Sequence, residues 1–396
     1  MIDILIEGGR TLVGTEIVET SLGIAGGEIA TMDAPGFRAA LAIDAGGLLV
    51  LPGIIDLHGD AFERQMMPRP GVHFPIDVAL VESDRQAIGN GITTVFHAAT
   101  WSWEPGLRSG DSTKELLEAI KRLRPQFAAD TRFHLRHETY NLDAEAEIGR
   151  WLSSGLVDLL AFNDHIDSTV ANLAKPQKRS RMVERTGLSG EAFDDLVARV
   201  VSRAQEVPAS ILRLATAARA AGVRMLSHDD ETPAMRKAFR AQGVEIAEFP
   251  INEETAREAA ENGDAIVFGA PNVVRGSSHT GWVRAADMIA NGLCTVLASD
   301  YYYPAPLLAA FRLAADDVLP LPEAWQLISA GPARAAGLFD RGVLAEGHRA
   351  DLILVDDALP LRPRVVAAIG RGRLMHLTEA ERLTVSTALP KAVAAE

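Results

Sequence analysis

The chain has 396 residues, 47% of them hydrophobic and 23% charged, with a formal net charge of −14. That apolar content builds a sizeable core and excludes a disordered or fibrous chain, while the acidity argues against wholesale binding to nucleic acid or an anionic membrane. No apolar run approaches the roughly 20 residues needed to span a bilayer, the start Met1-Ile-Asp-Ile-Leu-Ile-Glu7 lacks the basic end of a signal peptide, and a single cysteine, Cys294, rules out an internal disulfide, so a cytoplasmic protein is expected.

Residues 1–50 read as short strands, at 2–6, 12–18, 22–25 and 41–43, broken by Gly8-Gly9, Gly26-Gly27 and Gly46-Gly47. Glycine pairs supply the positive φ that tight turns require. From residue 51 the texture changes. Apolar runs at 49–57, 93–98, 133–140, 157–162, 223–227, 244–249, 265–270 and 295–299 alternate with amphipathic segments. Helical spacing covers 112–123, 193–207, 209–221, 233–241, 253–261 and 283–290. Asp111-Ser-Thr-Lys-Glu115 resembles a helix start. Eight strand–helix alternations predict an α/β fold, a (β/α)8 TIM-like barrel over 51–344. After Ala350 the pattern returns to strands, and the two chain ends, 1–50 and 345–396, are expected to pair into one small β-sandwich. The last residues, 388–396, read as a loose tail.

A closed barrel gathers its strand ends on one rim, and these ends are rich in metal-capable residues. The stretch Leu51-Pro-Gly-Ile-Ile-Asp-Leu-His-Gly-Asp60 ends the first strand, and alternation puts His58 and Asp60 on one side. The second strand ends near His97. On the third, His134, Arg136 and Glu138 share a face. The fourth ends in Asn163-Asp-His165, the fifth in Ser227-His-Asp229-Asp230, the sixth at Glu248, the eighth in Ser299-Asp300. Imidazole and carboxylate donors without thiolate suit Zn²⁺, and also Mn²⁺, Fe²⁺ or Ni²⁺. The donors exceed the needs of one tetrahedral ion, so one or two ions are expected, two lying about 3.5–4 Å apart and activating a water for hydrolysis. Asp300 can both bind an ion and take the water's proton.

His58-x-Asp60, a third-strand carboxylate, His228 and Asp300 together resemble the amidohydrolase superfamily. Its first strand usually carries His-x-His, so Asp60 is a departure. No lysine stands at the fourth strand. Glu138 matches the bridging glutamate of some branches, and Glu248 stands where a sixth-strand histidine is usual. Within the superfamily, several segments are similar to the phosphonate-metabolism diphosphatase family. They are His58-Gly-Asp-Ala-Phe-Glu63, Phe162-Asn-Asp-His165, Ser227-His-Asp-Asp-Glu-Thr232, Ala247-Glu-Phe-Pro250, Gly269-Ala-Pro-Asn-Val-Val-Arg-Gly-Ser-Ser-His279 and Ala298-Ser-Asp-Tyr-Tyr-Tyr-Pro304. The resemblance implies hydrolysis of α-D-ribose 1-methylphosphonate 5-triphosphate to the 5-phosphate and diphosphate, in the carbon–phosphorus lyase pathway. It implies metal ligation by His58, Asp60, Glu138, His165, His228 and Asp300, with Glu63, His97, Asp229 and Glu248 behind them.

Against that chemistry, Arg275, Ser277, Ser278 and His279 read as donors to phosphoryl oxygens. Lys175 and Lys178, with Arg179 and Arg181, form a basic cluster in a differing loop, 166–188, that reads either as a solvated helix face or as a lid over the phosphates. The expected partner is a small phosphorylated substrate; a homo-oligomer stays open. The alternative reading is a hydrolase of a C–N bond: a cyclic amidase, deacetylase or deaminase. A non-catalytic relative is disfavoured because His58, Asp60, His228 and Asp300 are all present.

Overall fold

The computed structural model describes residues 2–34, 36–69, 71–278 and 281–386. The chain opens with five strands: β1 (Ile2–Val13), β2 (Glu16–Ala25), β3 (Glu28–Thr31), β4 (Ala39–Asp44) and β5 (Leu49–Pro52). Gly53 then cuts the apolar run 49–57, read above as one strand, into two. Any Cβ at Gly53 would overlap the Thr93 side chain, so only glycine lets the backbone pass here. β5 stays with the terminal strands, and β6 (Ile54–Gly59) enters a second sheet.

That second sheet continues through β7 (Ile92–Trp101), β8 (Asp130–Glu138), β9 (Leu159–Asn163), β10 (Arg224–His228), β11 (Ile246–Glu248), β12 (Ala265–Gly269) and β13 (Val296–Ala298). Consecutive strands pair in parallel, in sequence order. A parallel bridge between Gly59 and Asp300 brings the last strand back to the first. The closure rests on two backbone bonds, Asp300 N–H to the His58 carbonyl at 2.8 Å and Asp60 N–H to the Asp300 carbonyl at 3.0 Å. Inside, Leu57, Phe96, Leu159, Leu226, Val267 and Val296 pack as one buried cluster, so the cylinder is filled below its mouth. Each such side chain contributes about 1.5–3 kcal/mol on full burial.

The chain ends meet as expected. β14 (Leu352–Asp356) lies antiparallel to β5, followed by β15 (Arg364–Gly370) and β16 (Arg373–Leu377), while β17 (Leu383–Val385) pairs with β4. These strands form one nine-stranded hydrogen-bonded network with a core of its own, including Ile6, Leu22, Ile24, Leu352 and Val366. The expected tail, 388–396, lies outside the described residues.

The helices Pro233–Ala241 and Glu253–Glu261 have the expected bounds, because Thr232 and Asn252 each accept a first-turn N–H. The helix expected over 112–123, with Asp111 ahead of its first turn, starts earlier, at Gly110, capped by Ser109. Residues 166–188 are not a loop. They form two helices, Ile166–Leu173 and Pro176–Thr186, the second ended by Gly187 at φ 69°. The second is nearly all polar, so it carries no apolar stripe to betray it. Among the described residues no helix is long and apolar enough to cross a membrane.

Candidate metal centre and active-site cleft

The mouth takes its chemistry from the period of the strands. β6 carries His58 to its end, and Asp60 follows on the same side. β8 climbs in steps of two. His134 is deepest, with Nδ1–H donating to the Leu57 carbonyl at 2.9 Å. Arg136 is next, and Glu138 reaches the rim.

Glu248, at the end of β11, ties two histidines together. Each of its carboxylate oxygens accepts one bond of 2.8 Å, from Nδ1 of His58 and from Nδ1 of His228. Both rings thus carry hydrogen on Nδ1 and turn the Nε2 lone pair away from Glu248. Burial alone would raise the Glu248 pKa, but the neighbouring His58 and His134, with the two hydrogen bonds, hold it well below the usual carboxylate range. The two rings lie 5.6 Å apart, tilted by 21°. Phe249 packs on both, at 5.0 and 5.3 Å.

Besides His58, His134 and Glu248, whose carboxylate oxygens are already taken by His58 and His228, two further sets of donors result. His58, Asp60 and Asp300 offer atoms within 4.8 Å of one another, and so do His165, His228 and Asp229. In the first set His58 Nε2 is 4.0 Å from Asp60. In the second, His165 holds Glu138 through Nδ1 at 2.6 Å and Asp229 through Nε2 at 3.3 Å. Burial opposes charge on His165, yet these carboxylates push its pKa up to about 10. His228 Nε2 accepts from Arg136 Nη2 at 3.1 Å, while Arg136 Nη1 lies 3.7 Å from Asp60. Burial keeps His228 below the usual histidine range. Imidazoles and carboxylates converging without thiolate fit a divalent cation. His134 Nε2 adds a buried nitrogen with no hydrogen-bond partner among the described residues.

Above these donors opens a cleft with about 790 Å³ of empty space, part of it open to solvent. Its polar wall is His58, Asp60, Arg136, His228, Asp229 and Asp300; Phe249, Phe268 and Trp282 supply apolar surface. A second cleft is lined by the Glu138–His165 pair together with Arg108, Lys178, Arg181 and Glu104.

Three rim residues hold left-handed backbone: Asp229 at φ 59°, Phe249 at 56° and Asp300 at 54°. Each donates its N–H to the next strand, at Glu248, Val267 and His58 carbonyls respectively. Beneath Asp300, Asp56 accepts from Ser299 N at 2.9 Å and Ser299 Oγ at 2.6 Å. Burial pushes Asp56 up to about 6 despite these bonds.

The mouth therefore collects His58, Asp60, Glu138, His165, His228 and Asp300 from five different strand ends. Asp229 and Glu248, expected behind the ligands, sit beside His165 and beneath both histidines. His97 is buried against Phe62, 5.2 Å away, and burial lowers its pKa to about 4. Glu63 faces Arg108 at 3.7 Å. Ser278 lines the first cleft. Arg275 donates to the Tyr301 hydroxyl at 3.4 Å, and Ser277 is exposed near it. Lys178 lines the second cleft, whereas Lys175 turns to Asn172 at 3.4 Å. His279 lies outside the described residues. Sequence reasoning gave no role to Arg136, Arg108 or Asp56. Arg136 was legible, since it stands two residues before Glu138 on the same face of one strand.

The amidohydrolase family model matches residues 76–376. The chain belongs to the amidohydrolase family, whose members are metal-dependent hydrolases. Among curated proteins it is similar to the α-D-ribose 1-methylphosphonate 5-triphosphate diphosphatase of Escherichia coli K12. The two are 33% identical over 360 residues, covering 88% of this chain and 94% of that one. Among solved structures it resembles a D-hydantoinase, with a TM-score of 0.62 at 14% identity over 94% of this chain and 95% of that one. A 5-methylcytosine deaminase from Klebsiella pneumoniae gives 0.64 at 16% identity, over 95% and 98%. At such identities these structures speak to the fold alone.

Proposed function

We propose that this hydrolase cleaves α-D-ribose 1-methylphosphonate 5-triphosphate to the 5-phosphate and diphosphate, within phosphonate catabolism in the cytoplasm. The observation that carries the reading is the 33% identity to the Escherichia coli diphosphatase over nearly the whole of both chains. The guanidinium of Arg136 inside the cleft supports it, since a fixed cation suits a phosphoryl group better than a neutral amide.

His58, Asp60 and Asp300 would hold a divalent ion, with His165, His228 and Asp229 as a second donor set and Glu138 beside it. Zinc suits these donors, as do manganese, iron and nickel. Such an ion supplies Lewis-acid polarisation of phosphoryl oxygen and lowers the pKa of water. Glu248 keeps both Nε2 lone pairs turned to the cleft. Asp300 accepts the proton as water adds to the α-phosphorus and the bridging oxygen leaves with diphosphate. Arg136 balances charge on the phosphoryl oxygens. Arg275, Ser277 and Ser278 hold the substrate from one side, and Lys178 and Lys175 hold the outer phosphates from the other.

The test is direct. Metal-supplemented protein is offered the triphosphate ester, and separately a hydantoin, a cytosine and an N-acetylated sugar phosphate. Diphosphate release from the ester alone is expected. Turnover of a C–N substrate with no diphosphate would overturn the proposal in favour of an amidase, deacetylase or deaminase.

A further inference from the structure

We infer that the site takes one divalent cation per chain, at His58, Asp60 and Asp300, and that Arg136 supplies the second positive charge in place of a second ion. The inference rests on the metal-dependent reading above and is independent of which phosphorylated substrate is used.

The two donor sets look alike on spacing alone. Their hydrogen bonds distinguish them. In the second set every ring nitrogen is already engaged. His165 meets Glu138 and Asp229, and His228 meets Glu248 through Nδ1 and Arg136 through Nε2. A neutral imidazole has one lone-pair nitrogen, so a nitrogen that accepts from Arg136 is not also a ligand. In the first set His58 points Nε2 toward Asp60, and among the described residues only its Nδ1 is hydrogen-bonded, to Glu248.

Arg136 is badly suited to step aside. Its side chain is 8% exposed, and its two terminal nitrogens span the gap between the sets, one on His228 and one near Asp60. The guanidinium keeps its charge at any pH the protein survives. A dication at His228 would therefore lie against a fixed like charge with little water between them. An ion at His58 shares Asp60 with Arg136 and faces it across that carboxylate. The geometry gives a cation pair in which one partner is built into β8.

The experiment counts ions. Full-length protein is incubated with excess Zn²⁺, freed of unbound metal by gel filtration and measured by inductively coupled plasma mass spectrometry. One zinc per chain is expected. Two would overturn the inference alone, and none would overturn it together with the metal-dependent reading. Loaded instead with Mn²⁺, the protein should give the six-line electron paramagnetic resonance signal of an isolated ion; an exchange-coupled pattern would refute the single site. In Arg136→Met the freed His228 should admit a second zinc, and a count that stays at one removes the role given to Arg136. His228→Ala should keep its single ion and His58→Ala should lose it; the reverse would place the ion in the wrong set. Circular dichroism checks that each variant folds, and the wild-type count decides even where a variant does not.

Discussion

Replacing Glu248 with glutamine perturbs one buried atom and should disturb two histidines. The carboxylate accepts from both Nδ1 groups at 2.8 Å and is completely buried. An amide offers one oxygen and one NH2, so one ring meets a donor where it met an acceptor. That ring must move its hydrogen to Nε2, and its lone pair then points into the protein. Hydrogen bonds to a charged group contribute about 1.5–3 kcal/mol each, so losing one lowers stability by roughly that amount. Partners that orient a ligand typically control metal affinity by about 10–100-fold, or about 1.4–2.7 kcal/mol. Zinc affinity, measured by competition with a chromogenic chelator, should fall in that range for Glu248→Gln and further for Glu248→Ala. Nitrogen-15 shifts of labelled histidine should report a changed tautomer. Wild-type affinity with wild-type tautomers in Glu248→Gln would refute the claim that Glu248 sets both rings.

Asp56 should leave a signature in the pH dependence of stability. Its folded pKa of about 6 lies above the ordinary aspartate value of 3.8, so the folded state prefers the neutral acid. The penalty is absent below about pH 4, builds as pH rises through 6 and then stays, reaching about 3 kcal/mol. Asp56→Asn, which keeps an acceptor for Ser299, should therefore gain on wild type between pH 4 and 7; urea melts showing a constant difference would contradict this. Arg236 is fully buried between Asp230 and Asp264 and also donates to Ser227 and the Val244 carbonyl. Arg236→Met strands two buried acids and should cost about 3–5 kcal/mol in denaturant melts; a loss under 1 kcal/mol would show the pair is dispensable. Lys178 and Arg181 are exposed, so each contributes at most about 1 kcal/mol. The double change to alanine should raise KM for the triphosphate by no more than about thirtyfold with kcat little altered; an unchanged KM at low salt would exclude the second cleft from substrate binding.

The barrel was legible because its signal is collective. Eight apolar runs separated by helical spacing admit few other architectures, and an error at one strand does not change the count. Gly53 shows the limit of that signal. The run 49–57 reads as one strand, and only the close approach of Thr93 to Gly53, a contact across forty residues, marks where it divides between two sheets. The helix Pro176–Thr186 was only half legible for the opposite reason: its basic residues suggested a solvated helix face, but Pro176, Met182 and Val183 are its sole apolar residues and give no strong stripe. At the mouth, period-two alternation on β8 foretold that His134, Arg136 and Glu138 share a face, but not what each would meet. Glu248 was noticed only as a substitution for a histidine. Its clamp on two rings depends on β6 and β10 standing on either side of the barrel's axis, a relation that exists only after closure.

The left-handed residues show how that closure and the chemistry are coupled. Asp229 and Phe249 each follow the last residue of a strand and Asp300 stands two residues past one, and each costs roughly 1–2 kcal/mol in a conformation that only glycine adopts freely. A glycine would remove the strain and the side chain with it. Each strained residue also makes one more ladder bond with its N–H before the chain turns away, so the barrel gains a rung where the backbone is least comfortable. The turn that follows puts two carboxylates and an aromatic ring at the edge of the donor sets rather than outside the cylinder. At these three rim positions a rung offsets the strain and the displaced side chain serves the cleft. Glycine or asparagine would fill such corners at less cost, and the aspartates and phenylalanine found there supply cleft-lining side chains instead.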